Sequence, residues 1–96
     1  MPGRLMNQRR SNIEIISDML RIGADGAGKT EIMYSANMSY RQLQKYLKFM
    51  ISQGLIDQIE VENPSITFIV TEKGHGLRRS IETVLEVLKF SSPEDE

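Results

Sequence analysis

A glycine-rich segment in the first third of the chain has the spacing of a phosphate-binding loop. Gly23–Thr30 reads G-A-D-G-A-G-K-T and matches G-x-x-x-x-G-K-[ST], in which backbone amides and a lysine surround nucleotide phosphates. Such a loop must follow a buried β-strand. Residues 12–22 instead have helical periodicity, and no later apolar strand ends in a magnesium-binding aspartate, Asp57 being the nearest candidate. We therefore expect no nucleotide here.

Basic and amide side chains recur along residues 39–53 at helical spacing. On a helical projection, Arg41, Lys45 and Lys48 lie opposite an apolar stripe. Arginine and lysine pair with guanine or phosphate, and glutamine pairs with adenine. We predict a DNA-contacting surface, although an ordinary solvated helix face has a similar composition. The residues predicted for this surface are Ser39, Tyr40, Arg41, Gln42, Gln44, Lys45 and Lys48.

The remaining chemistry-bearing residues do not form a recognisable site. The chain has no cysteine and one histidine, His75, which has no second ligand at metal spacing. The six methionines are typical of core packing. No nucleophile can be matched with a base. We therefore expect no metal, no cofactor and no enzymatic activity.

Capping patterns and a turn residue delimit three helices. Residues 11–14 (S-N-I-E) form a capping box that begins a helix over 12–22. A short helix follows the glycine-rich loop and runs through Ala36, and Asn37 suits a left-handed position after it. A second capping pattern begins the third helix, over 39–53, and a glycine follows its end.

After the third predicted helix, the spacing of the apolar residues changes from helical to alternating. Apolar and polar residues alternate over 58–62 and over 66–71, with an Asn-Pro turn between them, which predicts a hairpin. Helical spacing returns over 72–90. The order predicts an α+β, mainly helical fold, a winged helix-turn-helix of three helices and a two-stranded hairpin with a C-terminal helix.

Composition and charge limit the classes of protein. The 96 residues have room for one domain, and no apolar segment suits a membrane span or a signal peptide, so we expect a cytoplasmic protein. Residues 1–50 carry eight basic and four acidic side chains, whereas residues 51–96 carry four and nine. This asymmetry fits one surface that faces phosphates, although small proteins also divide charge by chance.

The segment Lys29–Tyr40 carries a family resemblance. It reads K-T-E-I-M-Y-S-A-N-M-S-Y, and the runs G-L-I at 54–56 and T-E-K-G at 71–74 extend the match over residues 11–90. The chain resembles the archaeal winged helix-turn-helix family, which includes small crenarchaeal chromatin-associated proteins that dimerise through a C-terminal coiled coil. The resemblance implies binding to double-stranded DNA, a nucleoid-associated location, and a role in transcription or chromatin organisation.

The last helix departs from that family's pattern. Residues 72–90 would form a helix of about 28 Å at 1.5 Å per residue, shorter than a full coiled-coil arm. Its apolar residues either form a homodimer interface or cover the first helix, and we favour the homodimer. The residues predicted for the interface are Leu77, Ile81, Val84, Leu85 and Leu88.

The hairpin also departs from the pattern, because it is acidic. Glu60 and Glu62 flank its tip, which has no Lys or Arg, so we expect a wing that does not grip DNA strongly. Arg4, Arg9 and Arg10 are candidate substitutes, although an untethered basic tail is the commoner explanation. The predicted divisions are a flexible basic arm over 1–10, a DNA-binding domain over 11–71, a dimerisation helix over 72–90 and an acidic tail over 91–96.

Two hypotheses of different classes follow. The first is a dimeric DNA-binding protein, either a transcriptional regulator or a chromatin protein. The second is a winged-helix module that binds another protein without DNA, because one fold serves many functions. DNA affinity that falls steeply with salt would favour the first.

Overall fold

The computed structural model describes residues 11–62 and 65–91. Its elements are, in order, α1 (Asn12–Ile22), α2 (Lys29–Ser35), α3 (Tyr40–Ser52), β1 (Ile56–Glu62), β2 (Ser65–Val70) and α4 (Glu72–Ser91). The predicted fold is confirmed, with three helices, a two-stranded hairpin and a C-terminal helix in the expected order.

Both hydrogen bonds of the predicted capping box form at the start of α1. The Ser11 N–H donates to Glu14 Oε1 at 3.0 Å, and the Glu14 N–H donates to Ser11 Oγ at 3.1 Å. Further along, α1 buries Ile15 and Leu20 in the core. Ile13, by contrast, is 49% exposed in the first turn of the helix.

A Schellman turn joins α2 to α3. The Met38 N–H donates to the Met33 carbonyl oxygen at 2.9 Å, and the Asn37 N–H donates to the Tyr34 carbonyl oxygen at 3.2 Å. Asn37 has a φ of 57°, the left-handed conformation that the sequence predicts. Because Met38 is buried under the turn, the angle between α2 and α3 is fixed by packing as well as by hydrogen bonds.

The same kind of turn ends α3 and starts the hairpin. The Leu55 N–H donates to the Met50 carbonyl oxygen at 2.9 Å, and the Gly54 N–H donates to the Ile51 carbonyl oxygen at 3.0 Å. Gly54 has a φ of 75°, which glycine adopts without strain. The chain thereby leaves α3 with Leu55 and Ile56 buried in the core.

The hairpin is antiparallel, with Ile56 opposite Val70 at its base. The glycine-rich loop pairs with its second strand. The Ala27 N–H donates to the Phe68 carbonyl oxygen at 2.9 Å, and the Phe68 N–H donates back to the Ala27 carbonyl oxygen at 2.8 Å. This bridge ties the segment before α2 to the hairpin.

α4 returns across α1 and completes the core. Gly74 faces Leu20, since a Cβ built on the glycine would lie 3.3 Å from Leu20 Cδ2. Leu77 packs against the core, and Ile81 is buried. The largest fully buried side chains come from α1, α2, α3 and β1 and are Met19, Leu20, Ile32, Leu43, Met50 and Ile56. Within residues 11–62 and 65–91, no helix has the length and apolar character needed to cross a membrane.

Candidate nucleic-acid interface

α3 has one buried apolar face and one exposed basic face. Leu43, Leu47 and Met50 anchor the helix, being at most 4% exposed. The exposed members of the predicted DNA-contacting surface are Ser39, Tyr40, Arg41, Gln44, Lys45 and Lys48. The helical period therefore orients α3 as the sequence predicts.

Ser39 and Gln42 have a structural role at the start of α3. The Gln42 N–H donates to Ser39 Oγ at 3.1 Å, so the serine hydroxyl satisfies an amide of the first turn. The Gln42 side chain is half-buried. The cap fixes the first turn of the helix, which carries Tyr40 and Arg41.

A groove of about 360 Å³ runs between α3, the start of α2 and the hairpin. Its charged and amide side chains come from three different elements. The lining residues are Lys29, Gln44, Lys45, Leu47, Lys48, Ile51, Gln58 and Phe68. Leu47 and Phe68 are buried and supply the apolar base of the groove, whereas the lysine and glutamine side chains that line it are more exposed.

The groove is electropositive. It gathers three lysines, and its described lining includes no Asp or Glu. The ion pairs seen among the described side chains are local to other helices, with Arg21 paired to Asp18 in α1 and Arg78 paired to Glu82 in α4. Three ammonium groups around one groove raise the local potential and favour an anion such as a phosphate.

Lys29 and Tyr40 connect the two helices of the helix-turn-helix at this surface. The Nζ of Lys29 lies 5.7 Å from the centroid of the Tyr40 ring, within the range of a cation–π contact. Tyr40 is still 58% exposed, so its other parts remain accessible to a ligand. The contact directs the lysine ammonium toward the N-terminal end of α3.

Two of the charged and amide side chains that line the groove, those of Lys29 and Gln58, are not among the residues predicted for the DNA-contacting surface. Lys29 begins α2, and a cation at the start of a helix-turn-helix is a sequence signal that could include it. Gln58 lies on β1, and its place in the groove depends on how the hairpin packs against α3. No local sequence pattern carries that information.

The glycine-rich loop has a geometry unlike that of a phosphate-binding loop. It follows α1 rather than a strand. The Ala27 amide is bonded to Phe68, and the Gly23 carbonyl oxygen accepts a hydrogen bond from the Val70 N–H at 3.1 Å. The loop therefore uses its backbone to bind the hairpin, while Lys29 turns toward the groove.

Several predicted features lie outside the described residues. These are the candidate DNA-binding arm with Arg4, Arg9 and Arg10, the hairpin tip, and the acidic tail beyond residue 91. Glu60 is exposed on β1, and the Glu62 side chain is also outside the described part. The acidic wing and the basic arm stay predictions.

The residues predicted for the dimer interface divide into two groups. Leu77 and Ile81 pack within the chain, and Leu85 is half-buried. Val84 and Leu88 are 49% and 57% exposed. Val87, which the prediction omitted, is 56% exposed and lies between them along α4. We call Val84, Val87 and Leu88 the outer α4 seam.

No group of three His, Cys, Asp or Glu side chains placed to hold a metal ion occurs among residues 11–62 and 65–91. His75 is half-buried in the first turn of α4. The basic groove is thus the feature of the described surface best suited to bind a charged ligand.

The sequence pattern of the winged helix-turn-helix family matches residues 9–89. The chain belongs to this family. The match spans all six described elements, from the capping box of α1 into the last turns of α4. The family membership agrees with the tight α2–α3 turn and the hairpin that follows it.

Two archaeal proteins are similar to this winged helix-turn-helix chain. The uncharacterized protein MJ0287 of Methanocaldococcus jannaschii is 36% identical over 81 residues, which are 83% of this chain and 78% of that protein. Sso10a-2, a DNA-binding protein from Sulfolobus solfataricus, is 32% identical, with a TM-score of 0.78 over 88% of this chain and 90% of that chain. The resemblance to archaeal winged helix-turn-helix proteins is confirmed.

A more distant structure shares the fold alone. Lactococcus lactis ZitR, solved in complex with DNA, has a TM-score of 0.65 at 17% identity. The alignment covers 90% of this chain and 60% of ZitR.

Proposed function

We propose that this chain binds double-stranded DNA with the exposed face of α3 and the groove beside it. The observation that carries the proposal is the cluster of Lys29, Lys45 and Lys48 around a groove whose described lining includes no carboxylate. A phosphodiester backbone supplies the anion that such a cluster favours. The description of Sso10a-2 as a DNA-binding protein supports the same assignment.

The docking mode follows from the direction of α3. In a helix-turn-helix, the second helix enters the major groove with its N-terminal residues at the base edges. Arg41 and Gln44 then face bases, and Tyr40 contacts a base methyl group or the backbone. Lys48, further along, contacts a phosphate of the backbone. Lys45 stands between these two zones and lines the groove.

We further propose a homodimer that pairs through the outer α4 seam. Val84, Val87 and Leu88 are each about half exposed, on a helix of 20 residues in which Ile81 is buried and Leu77 packs against the core. Pairing this surface removes it from water. Two recognition helices would then meet DNA about 34 Å apart, or at a multiple of that distance.

The biological role that fits these features is transcriptional regulation or chromatin organisation in a nucleoid-associated, cytoplasmic protein. No catalytic role is proposed, since the cluster of lysines and glutamines suits binding rather than bond cleavage. Selection of bound fragments from random DNA separates the two roles. Enrichment of a palindrome indicates a specific regulator, and retention of all sequences indicates a packaging protein.

A salt titration tests the proposal. Fluorescence anisotropy of a labelled duplex is measured with the full chain from low to high salt. If the three groove lysines each neutralise a phosphate, log K falls against log salt with a slope of about −2.7 per chain, because each contact contributes about −0.9. Absence of binding at low salt would leave the protein-binding module as the better function.

A charge-matched pair of variants makes the test specific to the surface. Lys45→Ala with Lys48→Ala removes two positive charges from the groove, whereas Arg21→Ala with Arg78→Ala removes two from α1 and α4. We expect the first variant to lose most of its DNA affinity and the second to retain it. Equal losses would show that net charge, and not the groove, governs binding.

A further inference from the structure

The C-terminal end of α3 is bonded to the N-terminal end of α4. The Thr71 hydroxyl donates to the Gly54 carbonyl oxygen at 2.6 Å and accepts from the Gly74 N–H at 3.1 Å. The same side chain therefore binds the turn after α3 and caps α4. The Thr71 N–H also donates to the Leu55 carbonyl oxygen at 3.0 Å.

A lysine makes a second contact between the end of α3 and the start of α4. The Lys73 Nζ donates to the Gln53 carbonyl oxygen at 2.8 Å. Gln53 is the C-cap of α3, so the ammonium lies at the negative end of the helix dipole. The two residues are 20 positions apart in the sequence. Their charged hydrogen bond adds to those of Thr71 in holding the two helix ends together.

Gly74 allows the two ends to approach closely. A Cβ on Gly74 would lie 2.3 Å from the Leu55 carbonyl oxygen and 2.7 Å from Val70 Cγ1. Backbone therefore contacts backbone at this point, and α4 has little freedom to shift against the α3 turn. We define the junction as Gln53–Leu55 with Thr71–Gly74.

We propose that Thr71 and Lys73 are positioning residues that set the orientation of the recognition helix α3 relative to α4. If α4 pairs two chains, then a fixed α3–α4 angle also sets the separation of the two recognition helices. The junction would thus determine which half-site spacing the dimer prefers. The second half of this inference rests on the proposed DNA-binding function, and the first half does not.

Spin-label distances test the first half without DNA. The chain has no native cysteine, so Gln44→Cys and Glu86→Cys place one label on α3 and one on α4. Doubly labelled chains are diluted into unlabelled protein to isolate distances within one chain. We expect a narrow distribution in the parent, and broadening or a shifted mean with Thr71→Val or Lys73→Met.

Matched variants separate positioning from general destabilisation. Thr83→Val removes another α4 hydroxyl, one that donates to the Arg79 carbonyl oxygen within the same helix, and should leave the distances unchanged. Thr71→Ser keeps the hydroxyl and should restore the parental distribution. Lys73 is exposed, so Lys73→Met retains the fold. An unchanged distribution in both Thr71→Val and Lys73→Met would overturn the inference.

Binding to palindromes of different half-site spacing tests the second half. The parent should discriminate against a spacing altered by about five base pairs, half a helical turn. Thr71→Val and Lys73→Met should lose that discrimination, whereas Thr83→Val keeps it. If the parent binds no DNA, the proposed function fails while the distance measurement still decides the positioning role. Parental spacing preference in the junction variants would contradict the inference.

Discussion

The Nζ of Lys29 lies 5.7 Å from the centroid of the Tyr40 ring, so the first residue of α2 contacts the first residue of α3. A lysine that the sequence pattern assigns to a nucleotide loop thereby becomes part of the α3 surface. Tyr40 is exposed and Lys29 is half-buried, so the contact contributes about 1 kcal/mol. Lys29 also lines the groove, where its ammonium can meet an anion.

Replacing Lys29 should weaken DNA binding without changing its sequence preference. A phosphate contact carries no base information, so Lys29→Ala should reduce the slope of log K against log salt by about 0.9 and lower affinity for all duplexes alike. Anisotropy titrations at several salt concentrations measure both quantities. An unchanged slope would exclude Lys29 from the phosphate contacts.

Replacing Arg41 should have a different effect from replacing Lys48. Arg41 lies in the first turn of α3, where side chains reach base edges, so Arg41→Ala should relax specificity at one position by about 1–3 kcal/mol. Lys48→Ala should lower affinity uniformly. Competition between a selected site and its single-base variants distinguishes the two, and identical profiles would remove Arg41 from base recognition.

ATP should not bind at the glycine-rich loop. The Ala27 amide is bonded to the Phe68 carbonyl oxygen, and the loop follows a helix, so its amides do not surround a phosphate. Equilibrium dialysis with ATP, with and without magnesium, should show no micromolar binding. Magnesium-dependent affinity that disappears in Lys29→Met would contradict this.

Replacing the two glycines of α4 by alanine should change the stability of the fold in opposite directions. Gly74→Ala places a methyl group against the Leu55 carbonyl oxygen and should destabilise the fold by about 1–3 kcal/mol. Gly76→Ala meets only Arg79 Nη2, at 3.9 Å, and should stabilise the helix by about 0.5–1 kcal/mol. Urea unfolding measures both. Similar midpoints for the two variants would mean that the α3–α4 contact is less tight than described.

The apolar residues of α4 should divide into interface and core residues. Val84→Glu with Val87→Glu should convert a dimer to a folded monomer, since charges would enter the paired surface. Ile81→Ala should instead lower the free energy of unfolding by about 2–5 kcal/mol and leave the molar mass of the dimer in solution unchanged. Light scattering after size exclusion measures the molar mass, and urea unfolding measures the stability. A parent that is already monomeric would refute the proposed interface.

Local patterns in the sequence were sufficient to predict the elements and the facing of α3. Capping boxes and left-handed turn residues act over a few positions, so Ser11 and Asn37 indicate helix limits without knowledge of the fold. A period of 3.6 likewise separates Leu43 and Leu47 from Lys45 and Lys48, because the direction of each side chain around the helix axis follows from the helix itself. The predicted order of elements therefore agrees with the structure.

Only the tertiary structure decided which distant residues meet. Gln58 enters the groove because β1 packs against α3, and Ala27 binds Phe68 because the loop lies beside β2. The α4 pattern was compatible with either an interface or a cover for α1, and packing against the core assigns Leu77 and Ile81 to the chain itself while leaving Val87 outside. Periodicity specifies faces of one element, whereas the pairing of faces is settled by contacts between elements far apart in sequence.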